Sequence, residues 1–251
     1  MPAPGAERYL TLLEFALAVA TVVGLRFVTA PYGRYGRSGW GPTVSSRVGW
    51  LVMECPAPLL FLGVYLTGAH RGGVVPLVLL ALWELHYVQR AFVYPFLIRA
   101  GARMPLSIMA MAITFNVLNG YVNARWVGDL GEYPTSWLYD PRMIVGGLLF
   151  LGGLAMNLGA DRTLRRLRGP GESGYKIPYG GAYRWVSSPN YLGEIVEWFG
   201  WALATWSLPG LAFAVYTTAN LAPRAIDNHR WYRGHFPDYP SERRALLPGL
   251  L

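Results

Sequence analysis

Long apolar runs constrain this chain more than any other feature. They lie near residues 9–28, 48–69, 74–98, 105–123, 143–160 and 190–222. The first five approach the roughly 20 residues that a helix needs to cross a bilayer. The sixth is longer and contains Pro209-Gly210, a dipeptide that marks a turn or break. It therefore reads as two short helices, about 190–206 and 208–222, joined as a hairpin. The expectation is an all-α integral membrane protein: one domain over residues 1–251, with seven transmembrane helices around an internal cavity. Composition agrees. The chain is 53% hydrophobic and 14% charged, where a soluble domain carries about 25% charged residues. Glu14 interrupts the first run and no short basic region precedes it, so no signal peptide is expected.

The formal net charge is +8. A basic chain can indicate nucleic acid, but these residues lie in loops between apolar runs, with no soluble basic domain to carry them. Positive loops of a membrane protein explain the charge. With seven spans, one side of the membrane receives Arg26, Arg34, Arg37, Arg47, Arg99 and Arg103, the basic residues from Arg162 to Arg184, and those of the tail. The other side receives only Arg8, Arg71, Arg125 and Arg142, while Arg90 falls inside a span. The positive-inside rule then places the N-terminus outside and the C-terminus in the cytoplasm. Lone Cys55 excludes an intrachain disulfide framework, and the histidines show no metal-ligand spacing.

Polar residues inside such runs are expensive, about 2.5–3.5 kcal/mol for a charged group at a helix centre on the insertion scale. In 189–201, PNYLGEIVEWFGW, Asn190, Glu194 and Glu197 share one helix face. Glu54 precedes Cys55-Pro56. Glu84, His86, Tyr87 and Arg90 fall within two turns, Asn116, Asn119 and Asn123 form a stripe, and Asn157 and Asp161 close the fifth run. A single buried polar residue per helix is ordinary packing glue. Stripes on several helices point to a polar cavity that holds a ligand. The Gly-, Pro- and Ser-rich stretch 168–189 has no periodicity, and loops of that length are usually functional or disordered. Tyr94 and most tryptophans read as packing or interfacial anchors.

The sequence resembles the steroid 5α-reductase family. The family carries a tail like NHRWYRGHFPDYPSERRALLPGLL at 228–251 and a segment like RIPxGGxFxxVSxxNFLGEIxEW, here KIPYGGAYRWVSSPNYLGEIVEW at 176–198. ALATWSLPGLAFA at 202–214 is similar too. HYVQRAFVY at 86–94 resembles HYxxRTFVY, and MECPAP at 53–58 resembles QELPSF. The likeness runs from about Glu54 to the end and is densest in the last hundred residues. The Arg-rich, nearly Lys-free composition suggests a bacterial member, and hence a bacterial inner membrane.

The resemblance implies reduction of the C4=C5 double bond of a 3-oxo-Δ4 steroid with NADPH as hydride donor. Hydride arriving at the β-carbon of an enone pushes charge onto the carbonyl oxygen, so a donor belongs there. Glu54 and Tyr87 match the family residues that contact this keto group. Either Glu54 donates directly or it holds the Tyr87 phenol in a donating orientation. No G-x-G-x-x-G follows a strand, so no Rossmann site is expected. The family's cofactor residues map onto Arg103, Asn157, Asp161, Arg168, Tyr175, Asn190, Glu194, Arg224, Asn228 and Tyr232. Arginine suits the pyrophosphate and the adenosine 2′-phosphate through its bidentate fork. Asn228 departs from the histidine that relatives often have, and Lys176 from their arginine. The expected partners are a steroid or other lipophilic enone and membrane lipid, with no nucleic acid and no obligatory protein. Two other readings stay open. One is a related membrane enzyme: an enoyl-thioester or sterol double-bond reductase, or an isoprenylcysteine-type methyltransferase. The other is a transporter or receptor, although the inverted repeats common in transporters are not visible.

Overall fold

The computed structural model describes residues 5–98, 101–169, 172 and 174–250; Arg99, counted above among the basic loop residues, lies outside them, as do Pro170, Gly171 and Ser173 of the 168–189 stretch. Helices occupy the apolar runs. They are α1 (Ala6–Phe27), α2 (Ser46–Glu54), α3 (Pro56–Thr67), α4 (Val74–Val88), α5 (Tyr94–Leu97), α6 (Leu106–Arg125), α7 (Pro141–Arg166), α8 (Pro189–Thr205) and α9 (Leu208–His235). Three helical stretches, Ala6–Phe27, Ser46–Thr67 and Pro141–Arg166, are long and apolar enough to cross a membrane.

Local chemistry sets the helix starts. The Ser45 hydroxyl accepts from Val48 N–H at 3.3 Å, and the Asp140 carboxylate accepts from Arg142 N–H at 2.8 Å. Ser207 accepts from Gly210 N–H at 3.0 Å. Such caps satisfy amides that the first turn leaves unpaired. Proline sits in the first turn of α3, α5, α7, α8 and α9. It costs little there, because its missing N–H has no intrahelical partner to lose. The expected break between residues 206 and 208 is present, but Pro209-Gly210 lies in the first turn of α9 rather than in the turn. The chain turns at Trp206-Ser207 instead, with Trp206 in the left-handed region at φ 45°. Moreover, α9 does not stop near residue 222 but continues to His235. Arg224, Asn228 and Tyr232 therefore ride on a helix rather than on a tail.

Two departures from plain α-helix lie near the site. Between α4 and α5 the chain makes a π turn over Gln89–Val93, the wider turn that is frequent at functional sites. A short antiparallel pair, β1 (Thr43–Ser45) with β2 (Arg103–Pro105), sets Thr43 opposite Pro105. The all-α expectation missed this pair, because three-residue strands carry no readable alternation.

The two ends of the bundle differ. At one end, Thr29 donates to Asp227 at 2.7 Å, Tyr35 to Asn228 at 3.0 Å, and Ser46 N–H to Ala102 at 2.9 Å. The basic loops gather there. At the other end, Arg125 pairs with Glu7 at 3.5 Å, Tyr133 donates to the Thr205 carbonyl at 2.7 Å, and Trp137 to that of Ala204 at 3.0 Å. Between the ends lies an aromatic core. Trp83 stacks on Phe61 with ring centroids 4.4 Å apart, and Trp198 and Trp201 are fully buried beside it. The asparagine stripe partly braces this core: Asn123 Nδ2 donates to Asn119 at 2.8 Å while its Oδ1 accepts from Trp201 Nε1 at 2.9 Å.

The tightest packing is between α7 and α8. Gly146 and Gly153 on one helix meet Gly200 and Gly193 on the other. A Cβ added at Gly146 would stand 2.5 Å from the Ala204 nitrogen, and one at Gly193 would stand 2.6 Å from the Asn157 nitrogen. A Cβ at Gly153 would collide with the Glu197 backbone, whereas one at Gly147 meets nothing within 4 Å. Overpacking costs about 1–3 kcal/mol when side chains can yield, and backbone cannot. Gly153→Leu is expected to destabilise by more than about 3 kcal/mol, read by thermal unfolding in detergent. Gly147→Leu should leave the Tm unchanged.

Candidate active site

Two cavities share a wall inside the bundle. The first, about 590 Å³, is mostly apolar. Leu17, Thr21 and Gly24 line it from one face of α1 and Val28 from just beyond its end, Phe115 from α6, and Phe213 and Tyr216 from α9. Glu54, Asn116, His86 and Tyr87 are among its polar groups. Asn116 Nδ2 donates to the Met53 carbonyl at 2.7 Å and to Glu54 at 3.2 Å, which fixes the carboxylate.

The second cavity, about 300 Å³, is polar. Its walls carry Asn157 and Asp161 from α7, Asn190 and Glu194 from α8, and Arg224, Asn228 and Tyr232 from α9. Asn157 Nδ2 donates to the Asn190 carbonyl at 3.0 Å and to Glu194 at 3.3 Å, while Asn190 Nδ2 donates to Asp161 at 3.1 Å. The loop after α1 closes the opposite wall with Tyr32, Arg34 and Tyr35. Burial pushes the Tyr35 phenol up to about 12, so it stays a neutral donor to Asn228. Ser187 bonds His229 Nδ1 and the Tyr239 hydroxyl, both at 2.7 Å. Burial, with Arg233 and Arg244 beside it, holds this imidazole below its usual range and so neutral.

Tyr32, Trp50, Arg90 and Glu194 belong to both cavities. The π turn carries Arg90 into this seam, where its guanidinium lies 3.7 Å from Glu194 and over the rings of Trp50 (4.6 Å) and Tyr94 (4.7 Å).

The polar cavity suits an anionic ligand. Arg224 is 5% exposed and lies 4.0 Å from the Tyr32 ring, yet its Nε and Nη1 make no hydrogen bond among the described residues. Arg34 donates through Nη2 to Tyr232 at 3.2 Å, and its Nη1 also finds no partner among them. Buried donors are normally satisfied. Two arginines with unused N–H groups in the wall of one cavity could hold an anionic group.

The comparisons with known proteins give the family. Residues 102–251 match the family described as 3-oxo-5-alpha-steroid 4-dehydrogenase. The chain is 44% identical to 3-oxo-5-alpha-steroid 4-dehydrogenase 1 of Bos taurus, over 98% of this chain and 99% of that one. It is 42% identical to steroid 5-alpha-reductase DET2 of Arabidopsis thaliana, over 96% and 95%. To 3-oxo-5-alpha-steroid 4-dehydrogenase 1 of Homo sapiens it is 40% identical, over 96% and 94%. The chain belongs to the steroid 5α-reductase family.

The residues that sequence reading assigned to this family's chemistry do not all converge. Glu54 and Tyr87 line the apolar cavity; Asn157, Asp161, Asn190, Glu194, Arg224, Asn228 and Tyr232 line the polar one. Arg103, Arg168 and Tyr175 line neither. Arg103 clasps the β1–β2 pair, donating to the Thr43 hydroxyl and carbonyl at 2.7 Å each. Arg168 donates to the Gly174 carbonyl at 2.9 Å and lies 5.3 Å from the Tyr175 ring. That ring in turn lies 5.1 Å from Arg34, so Arg168 and Tyr175 stand behind the cavity wall. Sequence reading missed Tyr32, Arg34, Tyr35 and Trp50. The run YGRYGR at 32–37 was the available signal, but it reads first as a basic loop. Glu197 shares a face with Asn190 and Glu194, as the spacing suggested, yet lies deeper and bonds His86 Nδ1 at 2.8 Å.

Proposed function

We propose that this member of the steroid 5α-reductase family reduces the C4=C5 double bond of 3-oxo-Δ4 steroids with NADPH. One observation supports this above the others: an apolar cavity and a phosphate-suited polar cavity meet at Arg90 and Glu194. The larger cavity falls in the roughly 300–1,000 Å³ range of small-molecule sites, and its lining suits a rigid apolar skeleton with a polar group at one end. When bound, NADPH supplies the hydride that this reduction requires. Arg34 and Arg224 would hold its phosphates, and Asn190 and Glu194 the nicotinamide end. Glu54 and Tyr87 meet the 3-keto oxygen, where charge develops as the β-carbon is reduced. Asn116 holds Glu54, and Glu54 would either donate to that oxygen itself or orient the Tyr87 phenol towards it. Trp50, Tyr32 and the apolar wall exclude water from the reacting carbons.

In the same reading the six apolar runs make seven spans of the bilayer, the basic end faces the cytoplasm where NADPH is made, and the N-terminus lies outside. The relatives named above are animal and plant proteins, so a bacterial source and an inner-membrane location rest on composition. A reporter fused after Leu251 is expected to be active only in the cytoplasm; activity on the outer side alone would reverse the orientation.

Purified protein with a 3-oxo-Δ4 steroid should consume NADPH much faster than NADH, followed by absorbance at the nicotinamide band. Equal rates with both cofactors would contradict the role given to Arg34 and Arg224. Tyr87→Phe should bind NADPH normally and lose on the order of 10²–10³ in turnover, as expected for a lost oxyanion donor. Adding Glu54→Gln should cost little more, because the two act as a unit. If Tyr87 were only an interhelical brace, turnover would persist and stability would fall by about 0.6 kcal/mol.

A further inference from the structure

Reducing an enone adds two hydrogens with different histories. The β-carbon receives hydride, and the carbon next to the carbonyl then takes a proton. Tyr87 and Glu54 serve the oxygen, and the functional reading leaves the proton donor unassigned. We propose that His86 is that donor, and that Glu197 is the residue positioning it; the inference rests on the enone-reductase reading above.

His86 is the neighbour of Tyr87 on α4 and lines the same apolar cavity. Its Nδ1 lies 2.8 Å from Glu197 Oε1, so Nε2 is the nitrogen left to serve a substrate. The ring is fixed on two sides: it stands edge-on to Trp198 at 4.6 Å and to Tyr87 at 4.9 Å. Glu197 is fully buried, and its other oxygen makes no hydrogen bond. Burying a histidine–carboxylate pair in an aromatic core is a poor way to gain stability, since apolar residues of similar volume often do as well or better. A proton donor facing an apolar cavity does need a counter-charge beside it.

The placement is part of a ladder. His86 and Arg90 lie one turn apart on one strip of chain, and Glu197 and Glu194 lie one turn apart on α8. Arg90 meets Glu194 at the seam between the cavities, and His86 meets Glu197 one turn deeper, inside the apolar cavity's wall. Protonated His86 thus sits on the substrate side of the seam. In the step itself the Nε2–H bond breaks and its electron pair stays on the imidazole. The enolate's carbon–carbon π pair forms the new C–H bond, and the carbonyl re-forms. Neutral His86 recovers its proton from solvent after product leaves.

The step can be tested without redox turnover by running it backwards. In D₂O, with a saturated 3-oxo-5α steroid and no added dinucleotide, neutral His86 removes a proton from the carbon it would otherwise protonate and returns a deuteron. Unmodified protein should exchange that position, read by NMR and mass spectrometry. His86→Gln should exchange about 100-fold more slowly or worse, the scale of a lost general acid–base. Glu197→Gln, which keeps a hydrogen-bonding partner for Nδ1 but not the charge, should fall between. Removing one partner strands the other in the core, so His86→Phe combined with Glu197→Leu, which removes both charges together, should stay folded and still lose exchange. Exchange at the unmodified rate in either folded His86 variant would overturn the assignment. So would an unmodified protein that reduces enones yet exchanges nothing. If unmodified protein reduces no enone at all, the functional reading fails, and this inference with it.

Discussion

The close approach of α7 and α8 is the constraint on which the site depends. Four glycines remove the side chains that would hold these helices apart, and the two backbones touch at the level of Asn157, Gly193 and Glu197. Only at that separation can Asn157 Nδ2 reach both the Asn190 carbonyl and Glu194. The polar wall is therefore a consequence of packing. Asn157 and Asn190 are each oriented by a group on the facing helix, and these bonds do not survive if the helices separate by the width of a methyl group.

A second constraint joins that wall to the apolar cavity. Arg90 is the one charged residue of α4 and its π turn to reach the seam, and the wider turn of the π segment is what carries it there. The guanidinium is held by one carboxylate and two aromatic faces. This arrangement lets a charged group sit between a greasy chamber and a polar one without being stranded in either. Two chambers of opposite character, meeting at the Arg90–Glu194 pair, suit the proposed reaction between a lipophilic enone and a dinucleotide.

Much of this was legible in the sequence. Helix positions followed from apolar length, which the bilayer dictates, and the residues of α7, α8 and α9 in the polar wall followed from the family resemblance. What could not be read has physical causes. Pro209-Gly210 looked like a break because first-turn proline and mid-loop proline are the same letters; the Ser207 cap decides between them. Arg103 and Arg168 are arginines in basic loops at plausible positions, yet their guanidiniums are occupied by Thr43 and by the Gly174 carbonyl. Arg34, from a loop read only for its charge, faces the cavity instead. Loop backbone decides which arginine points inward, and no periodicity encodes it. The His86–Glu197 bond joins residues far apart in the chain, and neither neighbourhood announces the other.

The central claim is that the seam sets a nicotinamide against the β-carbon of an enone. Carrying out the reduction with cofactor deuterated at its transferable position, and locating the label in the product by NMR, tests this most directly. The account predicts one deuterium at C5, none at C4, and an intact 3-keto group. Label on C3 of an alcohol, or label retained in the nicotinamide while product forms, would contradict it.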